Sequence, residues 1–105
     1  LLNKTNLQEI SYTGKAVITE YALAQNYPNP FNPTTTITYQ LPQDGFVTLK
    51  IYDVLGNEIA TLVNEYKKTG SYDINYDASS LSSGVYLYSI KINDYSATKK
   101  LVLMK

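Results

Sequence analysis

The chain contains no cysteine, no histidine and no tryptophan. Without cysteine the fold has no disulfide and no thiolate metal site, and the redox compartment is left open by the same absence. Without histidine it lacks the commonest general base, and the two absences together remove the usual zinc ligands. A serine nucleophile would need some other base. Ser79, Ser80, Ser82 and Ser83 cluster in a polar stretch where turn and capping roles account for them. Gly45 and Gly56 stand singly, so there is no glycine-rich phosphate cradle. Nine basic residues face nine acidic ones, and the basic runs are the pairs Lys67-Lys68 and Lys99-Lys100. That is not the footprint of a nucleic-acid binder. No apolar run approaches the roughly 18–20 residues that span a bilayer.

What is present points to β structure. The 105 residues suit one domain, 44% of them are apolar, and eleven tyrosines accompany two phenylalanines. The chain begins at Leu1 without an initiator methionine and reads as the end of something longer. Residues 1–20 read as a linker or the end of a preceding domain, with a short strand through Val17, Thr19 and Tyr21. Residues 21–105 read as the domain. Prolines 28, 30 and 33 then remove three backbone donors and push their predecessors toward extended geometry, so the stretch from Gln25 to Pro33 is an extended, non-ladder segment.

Beyond it the period is two. Ile37, Tyr39 and Leu41 alternate with Thr36, Thr38 and Gln40, and Val47, Leu49 and Ile51 alternate with Thr48, Lys50 and Tyr52. Pro42-Gln43-Asp44-Gly45 separates these two strands as a turn, and Asp53 to Asn57 is another, with Gly56 at a positive φ. Residues 58–64 form a strand with room for a bulge. Tyr72, Ile74 and Tyr76 form one face of the next strand, and Ser79 to Gly84 is a polar connection with one helical turn. Tyr86, Tyr88, Ile90 and Ile92 line one face of the following strand, Asn93-Asp94 turns the chain, and residues 96–104 form the last strand. Six to seven strands, turns every 8–15 residues and no sustained 3.6 period describe an all-β fold, an immunoglobulin-like antiparallel β-sandwich.

Carboxylates offer no catalytic pair. Asp73 and Asp77 share a strand face but stand about 13 Å apart at a rise near 3.3 Å per residue. Asp53, Asn57 and Glu58 around Gly56, and Asn29 and Asn32 in the proline segment, do not follow the spacing of an EF-hand calcium loop. Tyr72, Tyr76, Tyr86 and Tyr88 fall at strand period on apolar faces, where rings belong to the core and hydroxyls reach the rim. Aromatic rows on sandwiches also stack sugars, so a carbohydrate- or wall-binding module of a secreted enzyme is the alternative reading of the same residues.

A set of motifs in fixed order carries a resemblance. Tyr21-Ala22-Leu23 and Gln25-Asn26-Tyr27-Pro28-Asn29-Pro30-Phe31-Asn32-Pro33 come first. Val47 to Asp53, Leu55-Gly56-Asn57-Glu58 and Leu62-Val63-Asn64 follow. Tyr76-Asp77, Leu81, Ser83-Gly84-Val85-Tyr86 and Lys99-Lys100-Leu101-Val102-Leu103-Met104-Lys105 complete the order. Over residues 20–105 this resembles the type A C-terminal sorting domains of the type IX secretion system, the Por secretion system tail. Tyr76 departs from the family, which often has tryptophan there. The family is also similar to the immunoglobulin-like domain of flagellar hook-capping proteins, which makes an assembly domain a further alternative.

The resemblance implies a noncatalytic targeting domain without a cofactor. It would be fused behind an N-terminal cargo, exported through the periplasm, and recognised by components of the type IX translocon. A sortase would then usually remove it, leaving the cargo at the cell surface or outside the cell. The sorting signal it implies comprises Asn26 to Pro33, Gly56, Gly84, Tyr86 and Lys99 to Lys105, with cleavage N-terminal to Tyr27, within residues 1–24. The isolated domain is expected as a monomer or an edge-paired dimer. Three structural expectations follow. Val47, Leu49 and Ile51 are buried against Tyr86, Tyr88, Ile90 and Ile92. Tyr27 and Phe31 both pack onto the sandwich and cover a sheet edge or end. The last strand, apolar on both faces at Leu101 to Met104, leaves its backbone available to a translocon component by edge addition, or is read through its side chains.

Overall fold

A computed structural model describes residues 17–105. Its strands are β1 (Ala22–Leu23), β2 (Thr34–Leu41), β3 (Gly45–Tyr52), β4 (Glu58–Lys67), β5 (Gly70–Asp77), β6 (Gly84–Ile92) and β7 (Tyr95–Leu103). They form a three-stranded sheet of order β1-β2-β5 and a four-stranded sheet of order β4-β3-β6-β7, with every strand pair antiparallel. Strands β2 and β5 pair in one sheet while β3 and β6 pair in the other, the crossed connectivity of an immunoglobulin-like sandwich. Residues 1–16 lie outside the described part, and with them most of the predicted linker.

The two-residue period explains which side chains make the core. Thr35, Ile37, Tyr39 and Leu41 of β2 are buried, while Thr34, Thr36, Thr38 and Gln40 point outward. Val47, Leu49 and Ile51 of β3 are fully buried and sit in register with Ile92, Ile90 and Tyr88 of β6. The expected burial therefore holds for these residues, with Tyr86 only half-buried at the rim. Each fully buried aliphatic side chain of this kind contributes about 1.5–3 kcal/mol. Tyr39 stacks on Tyr72 across the β2–β5 pair at 5.4 Å between ring centroids.

Two local readings change. The first strand is Ala22–Leu23 rather than a run through Val17, Thr19 and Tyr21, because pairing begins where Ala22 meets Gln40. The predicted turn at Pro42 to Gly45 carries the chain from one sheet to the other, since β2 and β3 lie in different sheets. Asp44 ties this crossover to the one between β4 and β5, its Oδ1 accepting from the Thr69 N–H at 2.7 Å. The stretch 79–83 makes a turn closed by the Leu81 N–H on the Ala78 carbonyl, not a helical turn.

Strand β4 carries two register shifts against β3, opposite Leu49/Lys50 and Ile51/Tyr52. The extra residues, Leu62 and Ile59, break the alternation, which is why the period of this strand is blurred in the sequence. Beside them the β3–β4 turn is locked. The Asp53 carboxylate accepts from the backbone N–H groups of Leu55 and Asn57 and from the Asn57 side-chain amide, and Gly56 takes φ = 91°. Those bonds, the Asn57 side chain first, hold the Asp53 carboxyl below its usual range.

Candidate recognition site

Strand β7 is an edge of the four-stranded sheet, and an open edge presents unpaired N–H and C=O groups to any passing strand. Here the proline segment runs along that edge. The Gln25 side-chain amide donates to the Lys100 carbonyl at 2.7 Å. The Val102 N–H donates to Asn29 Oδ1 at 2.9 Å. The Phe31 N–H donates to the Val102 carbonyl and the Met104 N–H to the Phe31 carbonyl, both at 2.9 Å. Prolines 28, 30 and 33 cannot donate, so the Phe31 N–H is the strap's backbone donor to this edge, and Asn29 adds its side-chain oxygen as an acceptor. The result is a strap of about one strand's width, anchored by the Phe31 ring, which is 2% exposed in the core.

A buried polar knot holds the strap's entry. Asn26 is 1% exposed, and its side chain and N–H are all bonded. Its N–H donates to the Tyr88 hydroxyl at 2.7 Å, and its side-chain amide donates to the Pro28 carbonyl and to Thr35 Oγ1. The Gln25 amide donates to Asn26 Oδ1, and Thr35 Oγ1 donates to the Pro28 carbonyl. The Tyr88 hydroxyl in turn donates to the Ala24 carbonyl at 2.7 Å. Burial pushes the Tyr88 phenol up to about 12. Tyr88 therefore links the core of the four-stranded sheet to the segment that straps its edge.

The end of the chain is tied down on its other side. The Lys105 N–H donates to Ser83 Oγ and its Nζ to the Ser79 carbonyl at 2.7 Å. The Tyr86 hydroxyl donates to the Ser82 carbonyl, four residues upstream, in the manner of the tyrosine corner of immunoglobulin-like domains. Gly84 opens β6 in register with Leu103, Lys99 is half-buried opposite Tyr88, and Lys100 is exposed opposite Leu87. Asp77 accepts from the Ser79 hydroxyl and N–H, which, with the nearby Lys105 charge, lowers its pKa.

Most of the expected signal residues thus meet. Asn29 and Phe31 join Val102, Leu103 and Met104 directly, Lys100 is reached through Gln25, Asn26 and Pro28 are bonded to each other at the strap's entry, and Gly84, Tyr86 and Lys105 close the adjoining loop. Pro30 and Asn32 are exposed along the strap, and the Pro33 carbonyl accepts from the Ala78 N–H. Gly56 does not join them: its turn lies at the same end of the sheet but across β3 and β6 from β7.

Two expectations are corrected. Tyr27 does not pack onto the sandwich; its ring is 80% exposed. It bridges Thr36 with bonds both ways, and opposed residues share a face, so the ring follows Thr36 to the outside of the three-stranded sheet. The backbone of the last strand is not free for addition at residues 100–104, because the strap occupies it. Leu101 and Leu103 are core, while Val102 is half-buried and Met104 is 58% exposed. The expected signal residues left out Gln25, Thr35 and Tyr88, although Gln25 opens the proline motif and Tyr88 stands on the inward face of β6.

What this assembly gathers is amides, carbonyls, hydroxyls and lysines that fix one strand in place. The tyrosines on which sugar stacking rested are turned inward, Tyr88 completely and Tyr72, Tyr76 and Tyr86 by half. A depression of about 280 Å³ beside Pro28 and Asn75 is open to solvent. No three acidic side chains converge among the described residues.

A family model described as secretion system C-terminal sorting domain matches residues 25–104. The chain belongs to that family. The span matched in this sorting domain begins at Gln25, the first residue of the strap, and ends at Met104, whose N–H closes it. The sorting domain is thus matched from one end of its strapped edge to the other. No curated protein and no solved structure matches the chain.

Proposed function

We propose that this sorting domain is a noncatalytic export signal that acts as a folded body. It sits behind a cargo, crosses into the periplasm with it, and is recognised there by the type IX translocon, which moves the cargo across the outer membrane to the cell surface or the medium. A sortase then cuts ahead of Tyr27, within residues 1–24, and the domain is substrate rather than catalyst. The observation that carries this reading is the family match over residues 25–104, which embraces the proline segment and the last strand together. The signal residues are Asn26 to Pro33, Gly56, Gly84, Tyr86 and Lys99 to Lys105.

The reading is tested by carrying the chain on a periplasmic reporter in a host with type IX machinery and sequencing the C-terminus of the reporter recovered outside. A C-terminus upstream of Tyr27 is expected. A reporter that ends downstream of Pro33 contradicts the placing of the cut, and one that never leaves the periplasm contradicts the function.

A further inference from the structure

The strapped edge restricts how a partner can read the last strand. Around Val102 it is bonded to β6 on one side and to the strap on the other, so from Lys100 to Met104 the backbone offers no continuous edge. Its inward side chains, Leu101 and Leu103, are at most 1% exposed. What this end of the strand still offers a partner is the outer face of the four-stranded sheet. Register partners share a face. Tyr52 with Leu87, and Val85 with Val102, therefore form two adjoining apolar rows there. The β3–β4 turn stands at the same end and holds out Val54 and Leu55, 65% and 83% exposed, on the backbone fixed by Asp53. A small domain rarely leaves so many large apolar side chains together at the surface unless another surface covers them.

The charges at this end are selective. Lys50 is paired with Glu58 at 3.1 Å, whereas Lys100, on the same face beside Leu87, has no carboxylate partner among the described residues. We infer that the translocon reads this domain in place, through the Tyr52–Val85–Val102 end of the outer face and the Val54-Leu55 turn. The component that docks there presents an apolar protein surface with a carboxylate opposite Lys100. This rests on the sorting function proposed above. It assigns the β3–β4 turn and the Gly56 that shapes it to the same surface as the last strand, which explains why a turn remote from the strap belongs to the signal. The last strand is neither extended by a partner strand nor peeled away for recognition.

The test uses the chain on an exported reporter. Leu55→Asp and Val85→Asp lie at exposed positions and leave the periplasmic fusion protease-resistant. Each lowers extracellular reporter about tenfold or more, the effect of charge at an interface centre. Phe46→Asp, on the same face at its far end and 52% exposed, leaves export unchanged. Ser89 and Thr98, outside the proposed surface, oppose each other in the same alternation as Val85 and Val102, at a pair whose cross-strand Cα atoms stand about 4.5 Å apart and where a disulfide fits. Oxidised Ser89→Cys/Thr98→Cys, with β7 stapled to β6, is exported as well as the unaltered fusion. Normal export of Leu55→Asp and Val85→Asp overturns the inference. Retention of the stapled form alone also overturns it, since the strand must then be released. A dimer of the free chain that Leu55→Asp breaks without loss of export gives the face to a second copy instead. An unaltered fusion held in the periplasm overturns the sorting function itself, and this inference with it.

Discussion

Two tyrosines buried to the same degree should respond oppositely to loss of the hydroxyl. Tyr88 and Tyr39 are 0% and 1% exposed, and burial pushes both phenols up to about 12. The Tyr88 hydroxyl accepts from the Asn26 N–H and donates to the Ala24 carbonyl, whereas the Tyr39 hydroxyl is buried without a partner among the described residues. Tyr88→Phe leaves the N–H of a buried asparagine unpaired, at a cost of about 1–3 kcal/mol; the Ala24 carbonyl belongs to an exposed residue and recovers water. Tyr39→Phe removes a group that is desolvated without return and is neutral or stabilising by up to about 1 kcal/mol. The two variants therefore differ by about 2 kcal/mol. At roughly 1–2 kcal/mol per molar urea, that separates their unfolding midpoints by about 1–2 M. Equilibrium urea unfolding of the purified chain reads the difference. A Tyr88→Phe midpoint at or above that of Tyr39→Phe would refute the claim that Tyr88 fastens the strap to the core.

Three further predictions bear on the same frame. Phe31→Ala costs about 3–5 kcal/mol and uncovers the β7 edge, so the chain self-associates in sedimentation measurements where the unaltered chain does not. Gly45→Ala costs about 1–3 kcal/mol in the same urea assay, since the added methyl would lie 2.5 Å from the Asn93 side chain, which is itself held by the Tyr21 hydroxyl and the Asp44 carbonyl. Tyr39, Tyr76 and Tyr88 all have raised phenol pKa values, chiefly through burial. Their stabilising share is complete below about pH 10 and is lost above it, for Tyr39 and Tyr88 as the pH climbs toward about 12, so the urea midpoint falls across that interval and ultraviolet absorbance shows late-titrating tyrosines.

The sequence made the central strands legible because Ile37, Val47, Leu49, Ile51, Ile90 and Ile92 alternate without interruption, and a half-buried strand demands that period. Strand β4 was blurred because Ile59 and Leu62 are bulged residues that shift the alternation twice. The strap was legible as an extended non-ladder segment, since three prolines require it. Its partner was not, because Asn29 and Val102 are 73 positions apart and no local rule connects them. The direction of Tyr27 depended on the Thr36 bridge, a register that periodicity alone does not fix. The site followed the same division: its residues were recognisable as motifs, while the way they close the last strand's edge came only from the fold.

The central claim, that this folded domain is sufficient to direct a cargo out through the type IX route, is tested most directly by one comparison. A periplasmic reporter carrying the chain is expressed in a host with the type IX translocon and in an isogenic host without it, and the extracellular fraction is measured. The account predicts reporter outside the first host and protease-resistant fusion retained in the periplasm of the second. Equal retention in both, or equal release from both, would contradict it.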